Sequence, residues 1–216
     1  ILANVYLHYV LDLWFEKCIK KQLYGEAYLV RFADDFLIMF QYERDAQRVY
    51  EAVINRMELF GLELSKEKTR ILPFGRYSDS RETFDFLGFT HFNSKTRKGY
   101  YSVGHKISRK KKKQFKSNLK KWVKENRNTQ FDEFMKALNK KLTGSFNYYS
   151  LSGMIREVRN LWQHSLYVTF KWLNRRSQRR SFKLERFYEI WNDRIIHPYI
   201  HVDIWSSDKV IYNKNV

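Results

Sequence analysis

Cysteine is almost missing from the 216 residues. Cys18 stands alone, which excludes an intrachain disulfide and any zinc site built from several cysteines. A reducing, cytoplasmic setting fits that count. No apolar run approaches the roughly 18 residues a membrane-crossing helix needs, so no membrane partner is expected. No signal-peptide pattern, internal repeat or Gly/Ser-rich linker is visible. Acidic residues are scarce in one half only. Residues 1–104 hold 15 Lys+Arg against 14 Asp+Glu, while residues 105–216 hold 26 against 9. The net charge of +18 is therefore carried almost wholly by the second half.

Such a step in charge suggests two modules with different tasks. The near-neutral first half suits a catalytic or scaffold unit. The basic second half suits a polyanion, and nucleic-acid phosphates are the commonest one, because each neutralised phosphate releases counterions. A merely solubilising surface rarely needs charge so unevenly placed. Hydrophobic residues at 44% and aromatics at 18% are enough for a real core. The chain opens inside an apolar run, ILANVYLHYVL, from which a fragment of a longer protein is expected.

Residues 4–22 read as a helix that is apolar nearly all round, through Val5, Leu7, Tyr9, Leu11, Leu13, Trp14 and Phe15, and so largely buried. Gly25 ends it. AYLVRF (27–32) and DFLIMFQ (35–41) read as two strands, apolar enough to be central, joined by a turn at Ala33-Asp34-Asp35. Residues 44–60 place Ala46, Val49, Tyr50, Val53, Ile54, Met57 and Phe60 on one helical face, with Gly61 fitting just past the end. LEL (62–64), TRILPF (69–74) and TFDFLGFTHF (83–92) read as further strands, and GYYSV (99–103) adds a possible one. The first half is thus an α+β sheet with a helix on one face. After about residue 105 the pattern becomes helical. Ser108 is a fitting N-cap for SRKKKKQFKSNLKKWVKEN, with Phe115, Leu119, Trp122 and Val123 on one stripe. Further helices are expected over about 131–142, 154–174 and 183–193, and His197-Pro198 breaks any helix beyond.

The stretch RFADDFLIMF (31–40) sets two carboxylates between apolar runs. Aspartate is a favoured turn residue because its side chain bonds nearby backbone. A two-metal phosphoryl-transfer site, on the other hand, needs carboxylates held on rigid backbone, and a strand–turn–strand tip provides that. The residues by themselves leave both readings open.

RFADDFLIMF resembles the aromatic-Ala-Asp-Asp hairpin of reverse transcriptases. FGLELSKEKTRIL (60–72) resembles the block that follows in that family, with Gly61, Leu62, Leu64, Lys68 and Thr69 matching. TFDFLGFTH (83–91) resembles the block after it, through Phe86, Leu87 and Gly88. ILANVYL (1–7) is similar to the helix after the family's Pro-Gln-Gly motif. GSFNYYSLSG (144–153) and FKWLNRRSQRR (170–180) are similar to the maturase segment after the thumb. The blocks stand in the family's order and together resemble bacterial group II intron reverse transcriptase/maturases over nearly all of residues 1–205.

The resemblance implies a partial polymerase palm over 1–104, and thumb and maturase helices over 105–216. It implies Asp34 as a Mg²⁺ ligand, with Asp35 beside it as a second, less directly engaged carboxylate. Phe32 replaces the family's usual tyrosine and keeps a ring near the primer terminus. Lys68 would lie near the cleft, and Gly88 would let backbone approach the primer. The implied partners are group II intron RNA, a template–primer duplex and a dNTP. The family's site uses another aspartate, on a strand upstream of Pro-Gln-Gly. The fingers and that part of the palm are therefore expected to be needed for activity, and the chain by itself is expected to be inactive. One cysteine and six scattered histidines predict no endonuclease module.

In the basic half, Arg109, Lys110, Lys111, Lys112 and Lys113 open a helix where cations oppose the dipole, a cost that a phosphate backbone would offset. Arg175, Arg176, Arg179 and Arg180 would share one helical side. Trp122, Trp162 and Trp172 lie on apolar stripes and are read as core, while Tyr148 and Tyr149 fit either packing or stacking on RNA. The competing function is a non-catalytic RNA-binding splicing cofactor with vestigial aspartates.

Overall fold

The computed structural model describes residues 1–65, 67–176 and 181–200. The chain forms two compact units. Among the described residues, the first comprises those of 1–87 and 92–103, the second 88–91 and those from Gly104 on.

In the first unit a helical segment opens with α1 (Leu2–Leu7). It widens into π-type turns at His8–Asp12 and Phe15–Ile19 and tightens at Lys20–Gln22. Only Val10, Leu11 and Phe15 of it are buried, whereas Val5, Tyr6 and Tyr9 are exposed. This corrects the expectation of a largely buried helix. Only one side meets the rest of the unit, so the apolar residues elsewhere on it stay uncovered.

β1 (Ala27–Phe32) and β2 (Asp35–Phe40) form an antiparallel hairpin in which Phe32 pairs with Asp35. The turn is therefore Ala33-Asp34 alone, and Asp35 already belongs to β2. The two strands make a two-stranded sheet, so each keeps one unpaired edge rather than being central. Their apolar character is explained face by face. Leu29, Phe36, Ile38 and Phe40 pack on the core, while Tyr28, Val30, Phe32 and Met39 lie on the exposed face.

α2 (Glu43–Leu59) begins with Glu43 and Asp45 in its first turn, where carboxylates suit the helix dipole. Val49, Val53 and Met57 recur at helical spacing and are buried with Val10, Leu11, Phe15 and Ala27 in one cluster. Gly61, at φ +67°, ends the helix, and the Leu62 amide donates back to the Met57 carbonyl at 2.9 Å. Asp45 is buried and accepts from the amides of Tyr24 (3.0 Å) and Gly25 (3.1 Å), tying the approach to β1 onto α2.

LEL and TRILPF are not strands: the chain from Leu62 to Glu82 is irregular among its described residues. Its polar backbone is met by side chains instead of a ladder. Asn93 Oδ1 accepts from the Gly75 amide (3.2 Å), and Asn93 Nδ2 donates to the Ser80 carbonyl (3.0 Å). Pro73 removes a further donor. TFDFLGFTHF is not one strand but two, β3 (Thr83–Phe86) and β4 (Phe89–Lys95), joined at Leu87-Gly88. Both turn residues have positive φ, +50° and +82°, the conformation of a type I′ hairpin turn. β5 (Tyr101–Ile107) completes a three-stranded sheet in the order β3-β4-β5.

The second unit is mainly helical. α3 (Arg109–Asn126) is capped by Ser108, whose hydroxyl accepts from the Lys111 amide at 3.4 Å. α4 (Phe131–Tyr149), α5 (Ile155–Leu173) and α6 (Leu184–Arg194) follow. Leu119, Val123, Phe134, Leu138, Leu142, Phe146, Val158, Leu161, Phe187 and Trp191 are all buried, each on the apolar stripe of its helix. α3 and α5 lie side by side and parallel. Lys112 pairs with Glu157 at their N-terminal ends (2.5 Å), and Arg127 lies by Trp172 at their C-terminal ends. Past α6, the Ile196 amide donates to Asn139 Oδ1 (2.8 Å), and its carbonyl accepts from Trp162 Nε1 (3.1 Å).

Candidate active site and nucleic-acid interface

The β1–β2 hairpin presents Asp34 in its turn and Asp35 at the first position of β2, and both are exposed. Neither carboxylate has a hydrogen-bond or ion-pair partner among the described residues. Asp35 shares the outer face with Phe32, since paired antiparallel residues point the same way.

The tip is braced from behind. Arg31 Nε and Nη2 each reach the Asp12 carboxylate at 2.7 Å, a bidentate pair. Arg31 Nη1 donates to the Ala33 carbonyl at 2.8 Å, so the same guanidinium holds both helix and turn. Hydrogen bonding from Arg31 is the largest cause holding the Asp12 carboxyl below its ordinary pKa. Ala33 itself sits at φ +55°, which costs an L-residue about 1–2 kcal/mol. The sequence hid this brace, because Asp12 and Arg31 lie 19 residues apart and belong to no motif.

Asp34 and Asp35 offer hard oxygen donors of the kind Mg²⁺ takes. They fit the ion by chemistry but fill only part of a shell. Among the described residues no group of three or more His, Cys, Asp or Glu side chains is gathered.

The other expected residues fall in several places. Lys68 is exposed in a turn whose amides at Lys68 and Thr69 donate to the Ser65 carbonyl at 3.0 and 2.9 Å. Gly88 occupies the β3–β4 turn, where positive φ is its structural requirement. A Cβ there would meet the Lys111 side chain at 3.5 Å and the Tyr149 hydroxyl at 3.6 Å, which is ordinary contact. Tyr149 is half-buried, and burial raises its pKa; Tyr148 is exposed and stacks on Phe89 at 5.6 Å.

Arg109, Lys110, Lys111 and Lys113 are exposed along the first turns of α3, while Lys112 turns inward to Glu157. Lys116, Lys120, Lys121 and Lys124 continue the exposed charge down the same helix. Arg175 and Arg176 do not lie on a helical side, because α5 ends at Leu173. The Asn174 side chain bonds both the amide and carbonyl of Phe182. Arg179 and Arg180 lie outside the described residues. Trp162 is buried and Trp122 stacks on Phe134, but Trp172 is only half-buried and has cations around it.

Comparison with known proteins is consistent across both halves. Residues 1–91 match the family described as Reverse transcriptase (RNA-dependent DNA polymerase). Residues 112–189 match the family described as Group II intron, maturase-specific domain. No curated protein matches the chain. Reverse transcriptases work with divalent metal ions and on nucleic acid. The chain belongs to the group II intron reverse transcriptase/maturases.

Proposed function

We propose that Asp34 and Asp35 are metal ligands of an RNA-directed DNA polymerase site, and that the helical unit binds group II intron RNA and the template–primer duplex. Residues 1–104 then act as part of the palm, and residues 105–216 as thumb and maturase region, in the cytoplasm. The observation that carries the reading is the tip itself. Two neighbouring carboxylates stand exposed and, among the described residues, without partners on a hairpin whose turn is clamped by the Arg31–Asp12 pair. A turn that needed aspartate only for local bonding would use those oxygens.

In the reaction the primer 3′-hydroxyl oxygen bonds to the α-phosphorus of a dNTP. The bond to the bridging oxygen breaks, pyrophosphate leaves and the hydroxyl proton passes to solvent. Bound Mg²⁺ would lower the hydroxyl pKa and offset developing charge. Asp34 would be the principal ligand and Asp35 the lesser one. Phe32, on the face Asp35 shares, would pack near the primer terminus; Lys68 would offset phosphate charge, and Gly88 would keep the turn narrow beside the primer. Arg109, Lys110, Lys111 and Lys113, with Arg175, Arg176, Arg179 and Arg180, would meet phosphates, and Lys112 would join them only by leaving Glu157.

Two carboxylates leave a two-cation site short of ligands, so activity requires a further carboxylate from a reverse transcriptase segment. RNA-templated primer extension tests this. The chain alone should incorporate no dNTP. Joined to a segment that supplies a third carboxylate, it should extend the primer, and Asp34→Ala should then reduce extension by roughly a thousandfold, the scale of losing a principal electrostatic group. Robust extension by the chain alone, or full activity of Asp34→Ala in the joined form, overturns the assignment.

A further inference from the structure

Trp172 lies in the last turn of α5, and three cations surround its ring. Arg127 Cζ and Arg175 Cζ each stand 5.5 Å from the ring centroid, and Lys124 Nζ stands at 5.8 Å. They arrive from separate places: the last turn of α3, the residue that caps it, and the second residue beyond α5. No carboxylate pairs with any of the three among the described residues. The next residue in sequence, Arg176, has Nε and Nη2 buried with no hydrogen-bond partner among the described residues, and burial lowers its pKa from the ordinary arginine value.

Cations near a helix C-terminus complement its dipole. That accounts for each charge separately. It does not account for three charges converging on one indole. The indole attracts cations through its quadrupole but carries no charge to neutralise them. The cluster remains strongly positive, and the Arg127 and Arg175 guanidinium forks have the geometry that takes phosphate oxygens two at a time.

We propose that Lys124, Arg127 and Arg175, held around Trp172, form a phosphate seat for bound RNA. The inference rests on the RNA-binding reading given above and adds a specific anchor to it. RNA suits the seat better than an acidic peptide, because the exposed lysines of α3 lead to it along the same helix, a track of about 27 Å for 18 residues. A track of that length suits a regularly charged backbone. Trp172 acts by positioning: its ring keeps three mutually repelling side chains together before RNA arrives.

Fluorescence anisotropy of a labelled RNA hairpin with the full chain, measured across salt concentrations, tests the seat. Arg127→Gln/Arg175→Gln should weaken binding about tenfold or more. It should also flatten the plot of log affinity against log salt by about 1.4–1.8, the effect of two lost phosphate contacts. Lys136→Gln/Arg159→Gln removes the same charge from exposed positions elsewhere on α4 and α5 and should cost under about threefold. Trp172→Leu changes no charge and should also weaken binding, with Trp172→Phe restoring most of it. The glutamine pair leaves the apolar core untouched, so it stays informative even if Trp172→Leu unfolds. The seat is refuted if the cage pair behaves like the control pair, or if a folded Trp172→Leu binds as wild type. It is also refuted if the cage pair loses binding to polyglutamate but not to RNA. If the wild type binds no RNA at any salt, the broader reading fails and the seat with it. Wild-type binding with silent cage variants sinks the seat alone.

Discussion

Removing the Asp12 carboxylate should loosen the whole hairpin. In Asp12→Ala the Arg31 guanidinium loses two charge-assisted bonds of 2.7 Å and is left with the Ala33 carbonyl and a longer bond to Asn4. Breaking a buried ion pair by deleting one partner costs about 3–5 kcal/mol, while an exposed pair is worth about 0–1 kcal/mol. The Arg31 side chain is 13% exposed and that of Asp12 26%, so this pair lies between the two limits. A cost of about 2 kcal/mol is expected, reduced from the buried value because water reaches Asp12. For a unit of this size that lowers Tm by roughly 8–16 °C. Asp12→Asn keeps the shape and one acceptor and should cost about half as much. The pH dependence has a definite sign. Arg31 hydrogen bonding lowers the folded pKa of Asp12. The stabilisation is therefore complete above the unfolded value near 3.9 and is lost as pH falls through the lowered folded value. Thermal unfolding followed by circular dichroism should show the full gap between wild type and Asp12→Ala at pH 6, and the gap should close toward pH 2. A gap below about 0.5 kcal/mol at pH 6, the range of ordinary surface changes, refutes the brace. So does a gap that persists unchanged in acid.

Gly88→Ala should destabilise by about 1–2 kcal/mol, because φ +82° strains an L-residue while the space for a Cβ is present. Denaturant unfolding measures this, and a neutral result would show that the β3–β4 turn does not need glycine. Ser108→Ala should cost about 0.5–1 kcal/mol by the same measurement, toward the low end for caps because the bond to the Lys111 amide is long at 3.4 Å.

Much of the helical half was legible because burial on one side imposes a 3.6-residue period. Leu119 and Val123 of α3, and Val158, Leu161 and Trp162 of α5, announce their faces locally. The β1–β2 hairpin was legible from branched and aromatic runs meeting at Asp34. What failed was non-local. Leu87-Gly88 carries half of a turn signal, since leucine at positive φ is rare and Asn-Gly is the usual pair. Residues 62–74 have strand composition, but a strand needs a ladder partner, and the Asn93 side chain takes that role for the segment that follows. Arg175 and Arg176 leave the helical side expected of them because Asn174 bonds Phe182 eight residues on. Apolar residues of α1 read as buried whichever side is covered. At the site, the paired acids were visible as a motif, but the Arg31–Asp12 brace and the cations around Trp172 required the fold.

The central claim is that the hairpin tip is built to hold divalent metal, and paramagnetic broadening measures that without any need for turnover. Manganese(II) added at millimolar concentration to the isotope-labelled chain should broaden the amide signals of residues 32–36 before others, and Asp34→Asn should remove the effect. Broadening that begins elsewhere, or that Asp34→Asn leaves unchanged, contradicts the account.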